Sequence, residues 1–196
     1  MATTHTDNLS ERYQRFHDEN IHYQTNNWLV EDLPILLQAR AGTITEIGCG
    51  NGRFLERACE HFDSVIATDF ARSPVLTSIL ESHPTIRFHL ADITQPSALE
   101  TIRTDLCASA DVLEHLLPES LDDTIHAINA IAPVQWHTIA CYEADWTHPS
   151  VFTPDQWLDR FRDIDPSYMI ARLTNRRGRD TQPVVTITRG FAFRLS

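Results

Sequence analysis

The chain has 196 residues, of which 42% are hydrophobic and 22% are charged, a composition typical of one globular domain and not of a disordered chain. Its formal net charge of -11 disfavours a nucleic-acid partner, because binding to DNA or RNA phosphates requires clustered basic residues. All sixteen basic residues are arginine, which excludes mechanisms that depend on a lysine amine, such as P-loop, protein-kinase and pyridoxal chemistry.

The first forty residues are predicted to form an N-terminal helical cap. Ser10 is expected to cap a first helix, and a second helix is expected from about Asn27 until Gly42 ends it. Four aromatic side chains of this region are candidates for a lid that excludes water: Tyr13, Phe16, Tyr23 and Trp28. Packing of a helix on the sheet explains Trp28 equally well.

Strands and helices then alternate along the chain. Strands are predicted over residues 43–47, 64–68, 85–90, 104–110 and 135–142, with helices over 53–61 and 73–81 and after Pro118. A helix capped by Thr153 follows, and then a hairpin of strands over about 168–173 and 184–194. This order predicts an α/β fold, with a doubly wound, mostly parallel seven-stranded sheet and an antiparallel C-terminal hairpin strand. We expect a single domain, with the cap at 1–40, a core at 43–142, and a loop, helix and hairpin at 143–196.

A glycine-rich loop follows the first predicted strand. Gly48, Gly50 and Gly52 allow a sharp turn and close approach of the backbone to a ligand, and the loop opens onto a helix N-terminus. The spacing is G-x-G-x-G, with Arg53 where the dinucleotide fingerprint G-x-G-x-x-G has its last glycine. Alone, this pattern also fits a structural turn that binds nothing.

Acidic residues follow the next strands of the predicted sheet, at the edge where such folds bind ligands. Asp69, which ends the second strand, is placed to accept both hydroxyls of a ribose, or alternatively to cap the helix near Ser73. Asp92 follows the third strand and could accept an adenine amino proton while Ile93 packs on the ring, or could serve a turn. The segment from Asp111 to Leu116 follows the fourth strand and is expected to form the floor of the same cleft.

Four motifs in this order resemble those of class I S-adenosylmethionine-dependent methyltransferases of the small-molecule type: residues 46–52, 67–69, 90–92 and 111–116. The resemblance covers about Thr43 to Tyr142 and implies S-adenosyl-L-methionine as cofactor and S-adenosyl-L-homocysteine as product. It implies that Glu46 orients the loop or a cofactor amino group. It also implies a cofactor-binding set made of Gly48, Cys49, Gly50 and Gly52 around the methionine part, Asp69 at the ribose, Asp92 and Ile93 at the adenine, and the backbone of Asp111 beside the sulfonium, with Phe70 as a further cofactor-binding residue.

The candidate catalytic residues lie in the loops after the fourth and fifth strands. His115 is the first candidate for a general base, since imidazole exchanges protons near neutral pH, although a purely structural role is equally compatible. In the loop after strand five, Glu143 and His148 are further candidates, and Asp145 and Trp146 could contact an acceptor. No paired ligand spacing is present, so no metal is expected.

The expected partner is a small-molecule acceptor, because the Pro-Pro motif of DNA amino-methyltransferases is absent after strand four. A protein or RNA acceptor that contacts the arginine-rich segment Arg172 to Arg179 is the alternative, and a non-catalytic cofactor-binding protein is another. The glycine spacing argues against a nicotinamide oxidoreductase. With no apolar run of about 20 residues, no signal-peptide pattern and no CxxC pair, the sequence predicts a cytoplasmic monomer or homodimer without a membrane partner.

Overall fold

Seven strands form one sheet in the order β3-β2-β1-β4-β5-β7-β6 in the computed structural model, which describes residues 6–20, 27–144 and 147–191. The strands are β1 (Thr43–Ile47), β2 (Ser64–Asp69), β3 (Arg87–Leu90), β4 (Leu106–Ala110), β5 (Val134–Ala140), β6 (Met169–Asn175) and β7 (Pro183–Arg189). The helices within the described residues are α1 (Thr6–Glu19), α2 (Leu29–Leu36), α3 (Arg53–Ala58), α4 (Pro74–Ser82), α5 (Pro118–Asn129) and α6 (Pro154–Ile164).

The topology confirms the predicted fold class. Strands β1 to β5 pair in parallel, while β7 pairs antiparallel with both β5 and β6. The short connection between β6 and β7 explains the antiparallel pairing, since a parallel pair requires a longer crossover. In register, Ile47 of β1 lies opposite Thr68 of β2 and Ser109 of β4, so the carboxyl ends of the three strands meet at one edge.

Both faces of the sheet are covered, as a largely parallel sheet requires. In β4, Leu106 and Ala108 face the layer that contains α2, α3 and α4, while Cys107 faces the layer that contains α5 and α6. This alternation follows from the two-residue period of a strand. The two layers leave the carboxyl-end edge of the sheet for the loops that follow each strand.

Local sequence signals explain where several helices begin. Ser73 accepts a hydrogen bond from the Leu76 amide and precedes Pro74 at the first helical position of α4. Thr153 and Gln156 form the reciprocal capping box of α6, which confirms the predicted cap. Among the described helices, none has the length and apolar character needed to cross a bilayer.

Some predicted boundaries are wrong at the ends of elements. Ser10 lies inside α1, which begins at Thr6, so it is not the cap. The second helix ends at Leu36, ahead of Gly42, because a 3₁₀ turn follows and Arg40 adopts the left-handed conformation that closes it. The helix predicted over 53–61 ends at Ala58, and the strand predicted over 85–90 begins at Arg87. Part of the last predicted strand, beyond residue 191, lies outside the described residues.

Candidate active site

The glycine loop, residues 48–52, is fixed between the ends of β2 and β4. Gly48, Gly50 and Gly52 all have positive φ angles, of 68°, 54° and 73°, which residues other than glycine rarely adopt. The amides of Gly48 and Cys49 donate to the carbonyl oxygen of Thr68, at 2.8 and 3.1 Å. A Cβ atom on Gly48 would lie 2.4 Å from Cγ2 of Val112, so the loop after β4 packs directly on it.

Asp69 joins the glycine loop to the end of β2. Its Oδ2 accepts a hydrogen bond from the Gly50 amide at 2.7 Å, and its Oδ1 accepts one from the Ala71 amide at 2.9 Å. The carboxylate is buried, and these two hydrogen bonds fix its position beside the glycine loop. The cap of α4 is Ser73, so the alternative role of Asp69 as the helix cap is wrong.

Glu46 lies at the end of β1 with one oxygen unsatisfied. Its Oε1 accepts a hydrogen bond from Nδ2 of Asn27 at 3.4 Å, while its Oε2 is buried with no hydrogen-bond partner among the described residues. Burial raises the pKa of Glu46 well above its usual value, the Asn27 hydrogen bond opposes this, and the charge of Asp69 adds to it. A buried oxygen without a donor is costly, and a positively charged amino group of a ligand would satisfy it.

Asp92 and Ile93 follow β3 beside Asp69, whose carbonyl oxygen accepts the Ala91 amide at 2.8 Å. Oδ1 of Asp92 accepts both the amide and the hydroxyl of Thr94, at 3.0 and 2.7 Å. The turn role considered for Asp92 is therefore present. Any contact with a purine amino group would use its other oxygen.

The floor between β4 and β5 contains an ion pair. Asp111 has a φ of 55°, and its carboxylate pairs with the buried guanidinium of Arg176 from the β6–β7 connection. Arg176 also lies over the ring of Trp28, 4.0 Å from its centroid. Burial raises the pKa of Asp111, and the charge of Arg176 opposes that rise. The contacts join the hairpin, the N-terminal region and the floor.

Two histidines and two tyrosines form a histidine cluster: Tyr13, His115, Tyr142 and His148. Nδ1 of His115 lies 2.5 Å from the carbonyl oxygen of Thr147 and 3.0 Å from the hydroxyl of Tyr13. Nδ1 of His148 lies 2.8 Å from the carbonyl oxygen of Tyr142, and the two imidazole rings meet edge to face at 4.9 Å. Burial lowers the pKa of His115 to about 4, the neighbouring His148 adds to this, and carbonyl contacts oppose it, so His115 is neutral at physiological pH.

Glu114 lies beneath the histidine cluster and is fully buried. Its Oε1 accepts the Ala140 amide at 3.0 Å, and its Oε2 has no hydrogen-bond partner among the described residues. Burial raises the pKa of Glu114 well above its usual value, and the charge of Asp111 adds to this. The edge of the sheet therefore carries a second buried carboxylate that lacks a donor.

Comparison with known proteins relates one segment of the chain to a family. Residues 44–132, which include most of β1, all of β2 to β4 and the glycine loop, match the family model described as "Methyltransferase domain". The segment that carries the four predicted motifs is therefore similar to a methyltransferase domain. No curated protein sequence matches the chain significantly.

Solved structures share the fold of this chain. A 1,6-didemethyltoxoflavin N1-methyltransferase from Burkholderia thailandensis is 17% identical with a TM-score of 0.70, and the match covers 93% of this chain and 88% of that one. The N-methyltransferase NodS from Bradyrhizobium japonicum is 16% identical with a TM-score of 0.65, over 93% and 99% of the chains. A TehB-like methyltransferase from Corynebacterium glutamicum is 18% identical with a TM-score of 0.64, over 95% and 100%.

The methyltransferase fold brings most of the residues predicted from the sequence to one edge. Glu46, the loop glycines, Asp69 with Phe70, and Asp92 with Ile93 follow β1, β2 and β3, while Asp111, His115 and His148 follow β4 and β5. The side chain of Cys49 is buried in the core beside α3, so only its backbone can face a ligand. Glu143 is exposed and makes no hydrogen bond or ion pair with another described residue. Tyr23, Asp145 and Trp146 lie outside the described residues.

Two residues of this site are absent from the predicted set. Glu114 belongs to the 111–116 motif without a predicted role of its own, and its signal in the sequence is an acid flanked by Leu113 and Leu116. Arg176 lies in the arginine-rich segment of the predicted hairpin and turns inward to Asp111 and Trp28. No local pattern marks it, because both partners are distant in sequence.

Proposed function

We propose that the protein transfers the methyl group of S-adenosyl-L-methionine to an oxygen or nitrogen atom of a small-molecule acceptor, leaving S-adenosyl-L-homocysteine. The observation that carries this proposal is the adjacency of two different sites at one edge of the sheet. The glycine loop offers backbone groups and an unsatisfied Glu46, while the histidine cluster offers rings and proton-exchanging groups. Tyr13 connects them, since its ring contacts both Phe70 and His115, at 5.2 and 5.8 Å.

The residues of the first site fit S-adenosylmethionine, which carries its methyl group on a positively charged sulfur and is therefore already activated. Glu46 would accept the ammonium group of the methionine part, because its buried Oε2 lacks a donor. Asp69 would accept ribose hydroxyls while it holds the loop at Gly50. The remaining contacts are proposed for the backbone of residues 48–52 and Asp111, for Phe70 at the ribose, and for Asp92 with Ile93 at the adenine.

The histidine cluster would align the acceptor. Alignment of a nucleophile with the methyl group can contribute up to about 7–11 kcal/mol, which makes positioning the main task of the protein. Neutral His115 is oriented by the Thr147 carbonyl, and it would act as a hydrogen-bond partner of the acceptor or accept its proton. His148 is the second candidate for the proton, and exposed Glu143 would act at the rim of the loop.

A small acceptor fits the chemistry of this edge better than a macromolecule. Two arginines of the hairpin are used internally, since Arg172 pairs with buried Asp32 at 2.7 Å and Arg176 pairs with Asp111. The toxoflavin precursor and protoporphyrin methyltransferases among the structural neighbours are named for small-molecule substrates. We further propose a reducing, cytoplasmic location and a monomeric or homodimeric state; the four free thiols support the location.

The proposal is tested by following the methyl group. The protein is incubated with methyl-tritiated S-adenosylmethionine and a cell extract that has been separated by size. Label is expected in the fraction of small molecules and to disappear with the Asp69→Ala variant. Label that accumulates only in protein or RNA would contradict the acceptor class, and absence of S-adenosylhomocysteine binding would contradict the cofactor.

A further inference from the structure

Three potential metal ligands meet where β4 and β5 end. Glu114, His115 and His148 each offer one ligand atom, and these three atoms all lie within 4.8 Å of one another. Tetrahedral bonds of about 2.0–2.2 Å place ligand atoms about 3.3–3.6 Å apart, so binding of an ion would draw these atoms together by up to about 1.5 Å. The sequence does not predict this arrangement, because His148 belongs to a different loop and shares no motif spacing with the other two.

Contacts with backbone carbonyl oxygens orient both imidazole rings. Each Nδ1 lies against a backbone carbonyl, that of Thr147 for His115 and that of Tyr142 for His148. A carbonyl oxygen only accepts, so each Nδ1 carries the hydrogen and each Nε2 keeps its lone pair. A hydrogen bond of this kind from the second ring nitrogen is typical of histidines that bind a metal.

Glu114 supplies an independent observation that points to a cation, since two carboxyl groups, those of buried Glu114 and partly buried Asp111, interact here beside one guanidinium, that of Arg176. Its side chain is fully buried, its Oε2 has no hydrogen-bond partner among the described residues, and its Oε1 already accepts the Ala140 amide. The nearby guanidinium of Arg176 forms its ion pair with Asp111. A divalent cation at Oε2 would satisfy the orphaned oxygen and balance the buried charge.

Hydrogen bonds between the two loops hold the three ligands in place. The Ser150 amide donates to the carbonyl oxygen of Glu114 at 3.2 Å, and the Ser150 hydroxyl donates to that of Leu116 at 2.6 Å. Ser150 is buried and lies two residues after His148. These hydrogen bonds therefore hold the loop of His148 against the loop of Glu114.

We propose that Glu114, His115 and His148 bind one divalent first-row transition-metal ion, with zinc as the first candidate, and that this ion binds an oxygen atom of the acceptor. Two imidazole nitrogens and one carboxylate oxygen suit zinc and its neighbours, and three protein ligands leave positions open for water or substrate. This inference departs from the expectation of no metal. The role of the ion in activating the acceptor rests on the proposed methyl transfer, whereas the binding of the ion does not.

The ion would select an acceptor that carries a hydroxyl group. With the ion bound, His115 and His148 would serve as ligands and not as the proton acceptors proposed above. Coordination lowers the pKa of the hydroxyl, so its proton passes to solvent water and the oxygen becomes a nucleophile. That oxygen forms a bond to the methyl carbon, while the bond from the methyl carbon to sulfur breaks and its electron pair stays on sulfur. The products are a methyl ether, S-adenosylhomocysteine and one proton.

Cobalt titration tests the site directly. The chain is stripped with a chelator, dialysed and titrated with Co²⁺, a coloured substitute for zinc, and then with competing Zn²⁺. One equivalent is expected to give visible bands, and His115→Ala, His148→Ala and Glu114→Gln are each expected to weaken Co²⁺ binding by at least about tenfold. His126→Ala, an exposed histidine on α5, serves as the matched control and should bind as the parent chain does.

S-adenosylhomocysteine binding is measured on the same stripped samples and is expected to be unchanged. Its loss would contradict the proposed function, while the cobalt result would still decide the metal site. Absence of a one-to-one Co²⁺ complex, or Co²⁺ binding that survives both His148→Ala and Glu114→Gln in chains with native circular dichroism, would overturn the inference and leave Glu114 as a protonated structural acid.

Discussion

The glycine loop and the histidine cluster occupy the same edge of the sheet but are built differently. The glycine loop works through its backbone, with three residues of positive φ fixed by the Thr68 carbonyl and the Asp69 carboxylate. The histidine cluster works through side chains that come from α1 and from the loops after β4 and β5. The difference indicates that the first site is specified by a short contiguous segment and the second by the tertiary fold.

The largest expected effect tests the backbone character of the glycine loop. Gly48→Ala places a Cβ atom 2.4 Å from Val112, so we expect S-adenosylhomocysteine binding to weaken by more than about 100-fold, or roughly 3 kcal/mol. Gly178→Ala is the matched control, because Gly178 has the same φ of +68° with nothing within 4 Å of its added Cβ. It should keep its affinity and lose about 1–2 kcal/mol of stability.

Calorimetry on both variants measures the two affinities. The double variant Gly48→Ala, Val112→Ala removes the clash and should recover part of the lost binding. Equal affinities in Gly48→Ala and Gly178→Ala would show that the loop does not need the close contact with Val112.

The second effect is the dependence of the stability of the fold on pH, which we expect from His137 on β5. His137 is fully buried; its Nδ1 contacts the Ser109 hydroxyl and its Nε2 contacts Oε1 of Gln135, both at 2.9 Å. Burial lowers the pKa of His137 from 6.5 to about 3, and the charge of Arg189 adds to this. The unfolded chain therefore binds a proton that the folded chain refuses, and His137 should cost the fold several kcal/mol as the pH falls from about 6.5 towards 3.

Urea unfolding of the parent chain and of His137→Gln between pH 7 and pH 4 measures this contribution. The quantity to compare is the difference in the free energy of unfolding between the parent chain and His137→Gln. Glu46 and Glu114 have raised pKa values and stabilise both chains as the pH falls, so their contribution cancels in this difference. The stability advantage of the parent chain should shrink with acid. A difference that is independent of pH would contradict a neutral His137.

The third effect concerns Asp69, which holds the glycine loop and is proposed to bind the ribose. Asp69→Ala removes the acceptor of the Gly50 and Ala71 amides and the proposed ribose contact. Hydrogen bonds to a charged group contribute about 1.5–3 kcal/mol, so we expect affinity to fall by about 10–150-fold. Asp63→Ala, at an exposed carboxylate just before β2, is the control, and an unchanged affinity in Asp69→Ala would exclude the ribose role.

The smallest effect is expected where α1 meets the histidine cluster. Tyr13→Phe removes the hydroxyl that lies 3.0 Å from Nδ1 of His115 and keeps the ring on Phe70. Turnover should fall by about 2–10-fold, in line with one hydrogen bond of 0.5–1.5 kcal/mol, while cofactor affinity stays constant. Tyr168→Phe, which removes a hydroxyl bonded to Asn129 instead, controls for the loss of a tyrosine hydroxyl; equal turnover in both variants would remove Tyr13 from the site.

The same contrast explains what could be predicted from the sequence. Strand and helix order, the glycine loop and Asp69 were readable because alternation, turn glycines and strand-end acids are local patterns. The ends of helices and strands could not be predicted from such patterns, since the left-handed conformation of Arg40 and the start of β3 depend on tertiary contacts. The inward turn of Arg176 onto Asp111 and the orphaned oxygen of Glu114 exist only once distant segments pack.

One measurement tests the separation of the two sites most directly: the affinity of S-adenosylhomocysteine, by calorimetry, for the parent chain, Gly48→Ala and His148→Ala. The account predicts that Gly48→Ala loses binding while His148→Ala stays within about twofold of the parent chain, or about 0.4 kcal/mol. Loss of binding in His148→Ala with Gly48→Ala unaffected would contradict it, because the cofactor would then depend on the histidine cluster and not on the glycine loop.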